Sequence, residues 1–196
     1  MSLTLSALQS QASGPPVLQL SQETQLVAAC RKGDTRAQQK LYEQFHPMVL
    51  GVCLRYATDR QQAKDFMNQA YLRVFQKLDQ YRGEAQLGGW IKRVTVSVCL
   101  NAVRQKRHQM YEELDTVDTT PVQMPEAMNR LALEDIIAMI QSLPELPRTV
   151  FNLFTVEQYT HREIAQELGI SESNSRYYLR QARLRLQELV KQQNLR

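Results

Sequence analysis

The stretch "YTHREIAQELGISESNSRYYLRQARLRL", residues 159–186, reads as two short helices around a Gly169–Ile170–Ser171 turn. Thr160 and Glu163 stand at capping-box spacing, where the hydroxyl accepts from the N3 amide and the carboxylate reaches back to the cap. That pair fixes the start of the first helix, at roughly 1 kcal/mol. Ile164, Ala165 and Leu168 form its apolar stripe, Gly169 supplies the turn, and Ser171 can cap the helix that follows. Leu179, Ala182, Leu186 and Leu189 give this second helix a core face. Glu172, Ser173, Asn174, Arg176, Tyr177 and Arg180 occupy its leading and opposite faces.

Short polar side chains at a helix N-terminus can reach base edges, and arginines one turn on can bond guanine or phosphate. A solvated surface helix is the plainer alternative. The capping box, the tight turn and the polar leading face together favour a helix-turn-helix whose reader is Ser171, Glu172, Ser173, Asn174, Arg176, Tyr177 and Arg180. Arg183 and Arg185 suit solvated charge or phosphate contact as well as base contact, and His161 in the first turn could touch phosphate.

Upstream of the hairpin, "TVFNLFTVEQ" makes a helix, and Leu131, Ile136, Ile137 and Ile140 mark another that stops near "SLPELPRT". Residues 109–125 differ in character: four acidic side chains, no basic one, two prolines and no apolar period, hence an acidic linker. Before it lies a further helical block. Ser21 can cap a first helix that Gly33 ends; 35–56 carries Leu41, Phe45, Met48, Val49, Val52 and Tyr56 at helical spacing, with Pro47 expected to bend or interrupt it. Helix 61–78 is amphipathic through Ala63, Phe66, Met67, Ala70, Tyr71, Val74 and Leu78. "DQYRGEAQLGG", with three glycines, reads as a loop. "WIKRVTVSVCLNAVRQKRH" is rich enough in Val and Thr for a strand, but Ile91, Val94, Val98 and Ala102 share one helical face, and helices stand on every side. The expected fold class is all-α: two small helical domains, residues 21–108 and 126–196, joined by the acidic linker 109–125 and preceded by an uncharged tail, residues 1–20.

Net charge of +4 is compatible with nucleic acid, and its distribution says more than its sum. Arg82, Lys92, Arg93, Arg104, Lys106 and Arg107 cluster near Tyr81 and Trp90 on the glycine loop and the helix after it. Cations beside exposed aromatic rings suit a single strand, with arginine on phosphate and bases on aromatic faces; Trp90 as a core anchor among solvated charges is the other reading. Asp65, Asn68, Gln69 and Arg73 lie on the polar side of helix 61–78, where most side chains merely meet water. Cys30, Cys53 and Cys99 are scattered, which fits reduced core thiols in a cytoplasmic protein rather than a metal site or disulfide framework. No apolar run approaches the roughly 20 residues of a membrane span, and the tail lacks a basic, apolar leader. No phosphate-binding G-x-x-x-x-G-K-[ST] or nucleophile G-x-S-x-G is present, and His46, His108 and His161 are isolated, so neither catalysis nor a cofactor or metal is expected.

Three stretches taken together carry a family resemblance. "AKDFMNQAYLRVF", "YRGEAQLGGWIKRVTVSVCLNAVR" and "LPELPRTVFNLFTVEQYTHREIAQELGIS" make the chain, over about residues 22–190, similar to bacterial RNA polymerase sigma factors of the extracytoplasmic-function (ECF) type. The resemblance implies no enzyme but a promoter-specificity subunit. Its partners would be core RNA polymerase, promoter DNA and an anti-sigma factor, with no membrane insertion. Region two would bind core through Asp65, Asn68, Gln69 and Arg73, then melt DNA and read the minus-ten element along Arg82, Trp90, Lys92, Arg93, Ser97, Asn101 and Arg104. Region four would read the minus-thirty-five element with residues 171–180. Asn68-Gln69 replaces the usual Gln-Glu, so the core contact loses a charge; Ser97 stands where asparagine is common, which bears on minus-ten base choice; and Glu172-Ser173-Asn174 replaces Glu-Gly-Thr, which implies an unusual upstream element. The alternative is a stand-alone helix-turn-helix regulator of duplex DNA, for which the first block would more often be a ligand or receiver domain.

Overall fold

The computed structural model describes residues 20–83, 85–112 and 133–194, and among them every regular element is helical. Eight α-helices run in chain order: α1 Leu20–Arg31, α2 Thr35–Tyr56, α3 Arg60–Lys77, α4 Leu87–Glu112, α5 Leu133–Gln141, α6 Glu145–Phe151, α7 His161–Leu168 and α8 Glu172–Asn194. A 3-10 turn, Leu78–Gln80, closes α3, and a π-helical turn, Asn152–Val156, continues α6. Residues 1–19 of the tail, most of the linker (from residue 113) and Leu131 lie outside the described residues, while Leu20 already opens α1.

Local chemistry sets most of these boundaries. Asp34 caps α2 by accepting from the amides of Arg36 and Ala37, and Asp59 caps α3 through Gln62 N–H at 2.8 Å. Gly33, at φ +79°, turns the chain between α1 and α2. The expected Ser21 cap is not at the helix start, because α1 already includes Ser21. Helix α2 runs unbroken through Pro47, the packed apolar face outweighing one forgone amide hydrogen bond.

The glycine-rich loop is shorter than its composition suggests. Gly88 and Gly89 belong to α4, and the carboxylate of Glu23 on α1 accepts from Leu87 N–H at 3.1 Å, so a long-range side chain starts the helix. Gly88 is there for closeness: a Cβ at this position would meet the Phe45 ring at 3.2 Å. Arg31 ties the same corner together by donating to the carbonyls of Leu78 and Tyr81.

Helices α1–α4 pack around Leu41, Phe45, Val49, Val52, Tyr56, Ala63, Val74, Leu87 and Ile91, all but excluded from solvent. Helices α5–α8 pack through Leu143, Val150, Leu153, Ile164, Leu168, Leu179 and Ala182. Arg148 is buried among them and donates to Gln141 O at 2.8 Å, which closes the α5–α6 corner with a guanidinium in place of a turn residue. The two blocks also touch. Gln141 donates to Leu54 O, Asn152 donates to Arg55 O at 2.7 Å, and one apolar cluster runs from Leu26 through to Leu179.

Candidate nucleic-acid interface

The hairpin at the C-terminal end has the geometry its residues require. Thr160 Oγ1 accepts from Glu163 N–H at 3.2 Å, and the Glu163 carboxylate accepts from Thr160 N–H at 2.7 Å, so the capping box closes in both directions. Those hydrogen bonds hold the Glu163 carboxyl below its usual range. Gly169 sits at φ 61°, ψ 40°, the left-handed conformation that ends α7 and redirects the chain into α8. Ser171 Oγ accepts from Asn174 N–H at 3.0 Å and caps α8.

The leading face of α8 is open. Ser171, Glu172, Ser173, Asn174, Arg176, Tyr177 and Arg180 are all exposed, while Ser175, Leu179, Ala182 and Leu189 face inward. Tyr177 is 57% exposed, unusually much for so large a side chain. Arg176 pairs with Glu172 at 3.2 Å, one turn apart on the surface, a contact weak enough for a phosphate to displace. His161 is half-buried against its own hairpin. Its Nδ1 shares a 2.9 Å hydrogen bond with Ser175 Oγ, and its ring stacks on Phe154 at 4.6 Å. Arg183 lies over the same Phe154 ring, 5.6 Å from its centroid.

A second surface lies between α3 and α4. Trp90, Arg93, Ser97 and Asn101, at helical spacing on α4, line a cleft of about 250 Å³ with Arg73 and Lys77 of α3. The cleft therefore offers an aromatic wall, three cations and two small polar groups. Trp90 is half-buried and meets Tyr81 with centroids 5.6 Å apart, so it is both anchor and wall. Tyr81 differs from its expected exposure: it is buried, and its hydroxyl donates to Ala85 O at 2.6 Å. Burial raises the Tyr81 phenol pKa, and Glu23 adds to the shift.

Other members of the two expected sets fall elsewhere. Arg73, grouped with the core-binding residues, also lines this cleft. Arg82 stands apart on the exposed loop. Lys92 and Arg104 both reach carboxylates of the C-terminal block: Lys92 Nζ is 2.8 Å from Glu157, and Arg104, which also donates to Asn101 Oδ1 at 2.8 Å, is 3.6 Å from Glu167. Asp65, Asn68 and Gln69 do share one exposed strip of α3, to which the structure adds Leu72, an apolar side chain 61% exposed. An exposed leucine on an amphipathic helix breaks the pattern only once its neighbours' burial is known, so the sequence alone did not mark it. Glu157 carries no local mark in the sequence either, although its side chain is only 7% exposed and meets Arg55 and Lys92.

Compared with known families, residues 41–109 match the sigma-70 region 2 model and residues 133–186 match the sigma-70, region 4 model. The first match takes in the cleft and the second takes in the hairpin. Together they span more than half of the chain. The chain belongs to the sigma-70 family. It is an RNA polymerase sigma factor of the ECF type, and similar relatives bear this out. It is 27% identical over 161 residues to the RNA polymerase sigma-H factor of Pseudomonas aeruginosa, covering 76% of this chain and 83% of that one. It is 24% identical over 171 residues to the ECF RNA polymerase sigma factor SigM of Mycobacterium tuberculosis, covering 86% and 84%. A solved structure, the sigma factor RpoE in complex with the anti-sigma factor NepR from Bartonella quintana, aligns with a TM-score of 0.49 at 16% identity, over 78% of this chain and 96% of that one. Among the described residues of this sigma factor, no helix is long and apolar enough to cross a membrane.

Proposed function

We propose that this sigma factor binds core RNA polymerase, reads a minus-thirty-five element with the leading face of α8, and opens and reads a minus-ten element along α4, acting in the cytoplasm without a catalytic step of its own. The observation that carries this reading is the cleft. An aromatic wall beside Arg73, Lys77 and Arg93 suits an unpaired base and its phosphates, and a regulator of duplex DNA alone has no use for one. The exposed strip of Asp65, Asn68, Gln69 and Leu72 is the proposed core contact, an apolar centre with a polar rim. By extension from the relative solved with NepR, an anti-sigma factor is a further proposed partner.

The test is run-off transcription with core polymerase from the same organism on sheared genomic DNA, with and without the protein. New discrete transcripts are expected, and their start sites define both promoter elements. On a promoter found this way, Arg176→Ala and Arg180→Ala should each weaken binding by about 1–3 kcal/mol. No transcripts, combined with no co-elution with core, would favour the stand-alone regulator. Normal promoter affinity in both variants would remove the assignment of α8.

A further inference from the structure

The loop between α3 and α4 is held at both ends by one helix. Arg31, in the last turn of α1, donates to Leu78 O at 2.9 Å and to Tyr81 O at 2.6 Å, where the loop begins. Glu23, near the start of α1, accepts from Leu87 N–H at 3.1 Å, where the loop ends and α4 starts. The two residues stand about two turns apart on α1, roughly 12 Å of helix, so α1 acts as a strut that fixes the span of the loop. Between the two anchors the chain folds back at Gly83, φ +76°, and the Tyr81 hydroxyl donates to Ala85 O at 2.6 Å.

Glu23 does more than end the loop. It is only 8% exposed and meets the amino end of α4, where free amides and the helix dipole favour negative charge. It also lies against the Tyr81 phenol, whose pKa is pushed up by burial and then by this carboxylate. Tyr81 in turn packs on Trp90, with ring centroids 5.6 Å apart and planes tilted by 55°. Trp90 stands in the first turn of α4, its N–H donating to Gln86 O at 3.2 Å, and its ring is the aromatic wall of the cleft. Glu23 therefore reaches Trp90 by two routes, one through the backbone of α4 and one through the Tyr81 ring. Neither Glu23 nor Tyr81 lines the cleft itself.

We propose that Glu23 and Tyr81 are positioning residues for strand opening: from α1 and the loop they set the pose of the Trp90 ring on which an unpaired base stacks, without touching DNA themselves. The part concerning DNA rests on the proposed minus-ten role of the cleft; the setting of Trp90 does not. An aromatic platform already held in its binding pose loses less freedom when a base stacks on it. Releasing Trp90 thus weakens the grip on an unpaired base while every group that lines the cleft stays in the chain.

The variants Glu23→Ala, Glu23→Gln, Tyr81→Phe and Trp90→Ala test this in the full chain, with Glu23→Ala also combined with Trp90→Ala. Glu23→Gln keeps an oxygen for Leu87 N–H, and Tyr81→Phe removes only the hydroxyl that holds Ala85. Far-UV circular dichroism verifies that each variant keeps its helices; should Glu23→Ala lose them, Tyr81→Phe carries the same comparisons. Trp90 is the single tryptophan, so acrylamide quenching of its fluorescence reads the pose of the ring without DNA. Glu23→Ala should raise the quenching constant about two-fold as a half-buried ring becomes exposed. Tyr81→Phe should raise it less, and Glu23→Gln should match the parent. Permanganate reactivity of minus-ten thymines reads opening, in complexes with core polymerase on a promoter found by run-off transcription. Glu23→Ala should reduce it on the order of ten-fold, comparable to the loss of one stacked base, and Glu23→Gln should restore it. In the Trp90→Ala background Glu23→Ala should cause no further loss, because its effect passes through that ring. Unchanged quenching in both Glu23→Ala and Tyr81→Phe would overturn the proposal. Additive losses of opening in the double variant would do the same, leaving Glu23 a general support of the fold. Normal opening by Trp90→Ala would instead refute the minus-ten role of the cleft, and with it the part concerning DNA, whatever the quenching shows.

Discussion

His161 holds three elements of the C-terminal hairpin together through one side chain. Its bond to Ser175 and its stack on Phe154 tie the first turn of α7 to both α8 and the π turn. Burial, then the positive charge of Arg176, lowers its pKa; Glu172 opposes that shift and Arg183 reinforces it. The folded state thus binds its proton less readily than the unfolded chain. The stability contribution is complete above the unfolded histidine pKa, about 6.5, and falls away as pH drops through that value toward the folded one. Melting temperature measured between about pH 7.5 and about pH 5.5 should decline more steeply for the parent than for His161→Gln. Parallel declines would show that the imidazole carries none of the effect. The sequence marks this histidine only as a residue that could touch phosphate; its partners Ser175 and Phe154 become neighbours only after the hairpin folds.

The elements were the most legible level. Periodicity gives most of the helices, although α4 needed its helical neighbours to exclude a strand and α6 begins at Glu145 inside an expected break, and the Thr160–Glu163 box and Gly169 give the hairpin to within a residue, because caps and left-handed turns are local chemistry. Gly169→Ala meets no atom within 4 Å, so its cost is purely conformational; about 1 kcal/mol of stability should be lost in denaturant titration. A neutral result would mean α7 ends by some other route. Element starts set by distant side chains were not legible. The amino end of α4 depends on Glu23, 64 positions away, and Gly88 and Gly89 read as loop residues because their purpose, clearance under Phe45, is invisible until α2 and α4 meet. Likewise the cleft was half visible: Trp90, Arg93, Ser97 and Asn101 follow one helical face, but Arg73 and Lys77 arrive from another helix.

At the scale of the molecule, the sequence suggested two domains with a negative linker between them and gave no sign that the blocks meet. Contacts such as Arg55–Glu157, 102 positions apart, leave no periodic trace. Yet the apolar cluster is continuous from α1 to α8, which ties the stability of one block to the other. The single tryptophan, Trp90, reports on the first block, whereas far-UV circular dichroism reports on all the helices. The two signals should lose structure at the same temperature in the parent protein. Separate midpoints would mean that the blocks melt independently and that their contact adds little to either.

The π turn gives this arrangement an unusual dependence on chain length. A π turn holds one residue more than the α-helical turn it interrupts. Removing a residue there, such as the exposed Thr155, would return α-helical register and swing whatever follows by about 100° around the axis. Glu157 would then face away from Arg55 and Lys92, with every charged group still present in the chain. The electrostatic joint between the two blocks thus hangs on a count of residues between Asn152 and Val156, and not on the identity of any charged side chain.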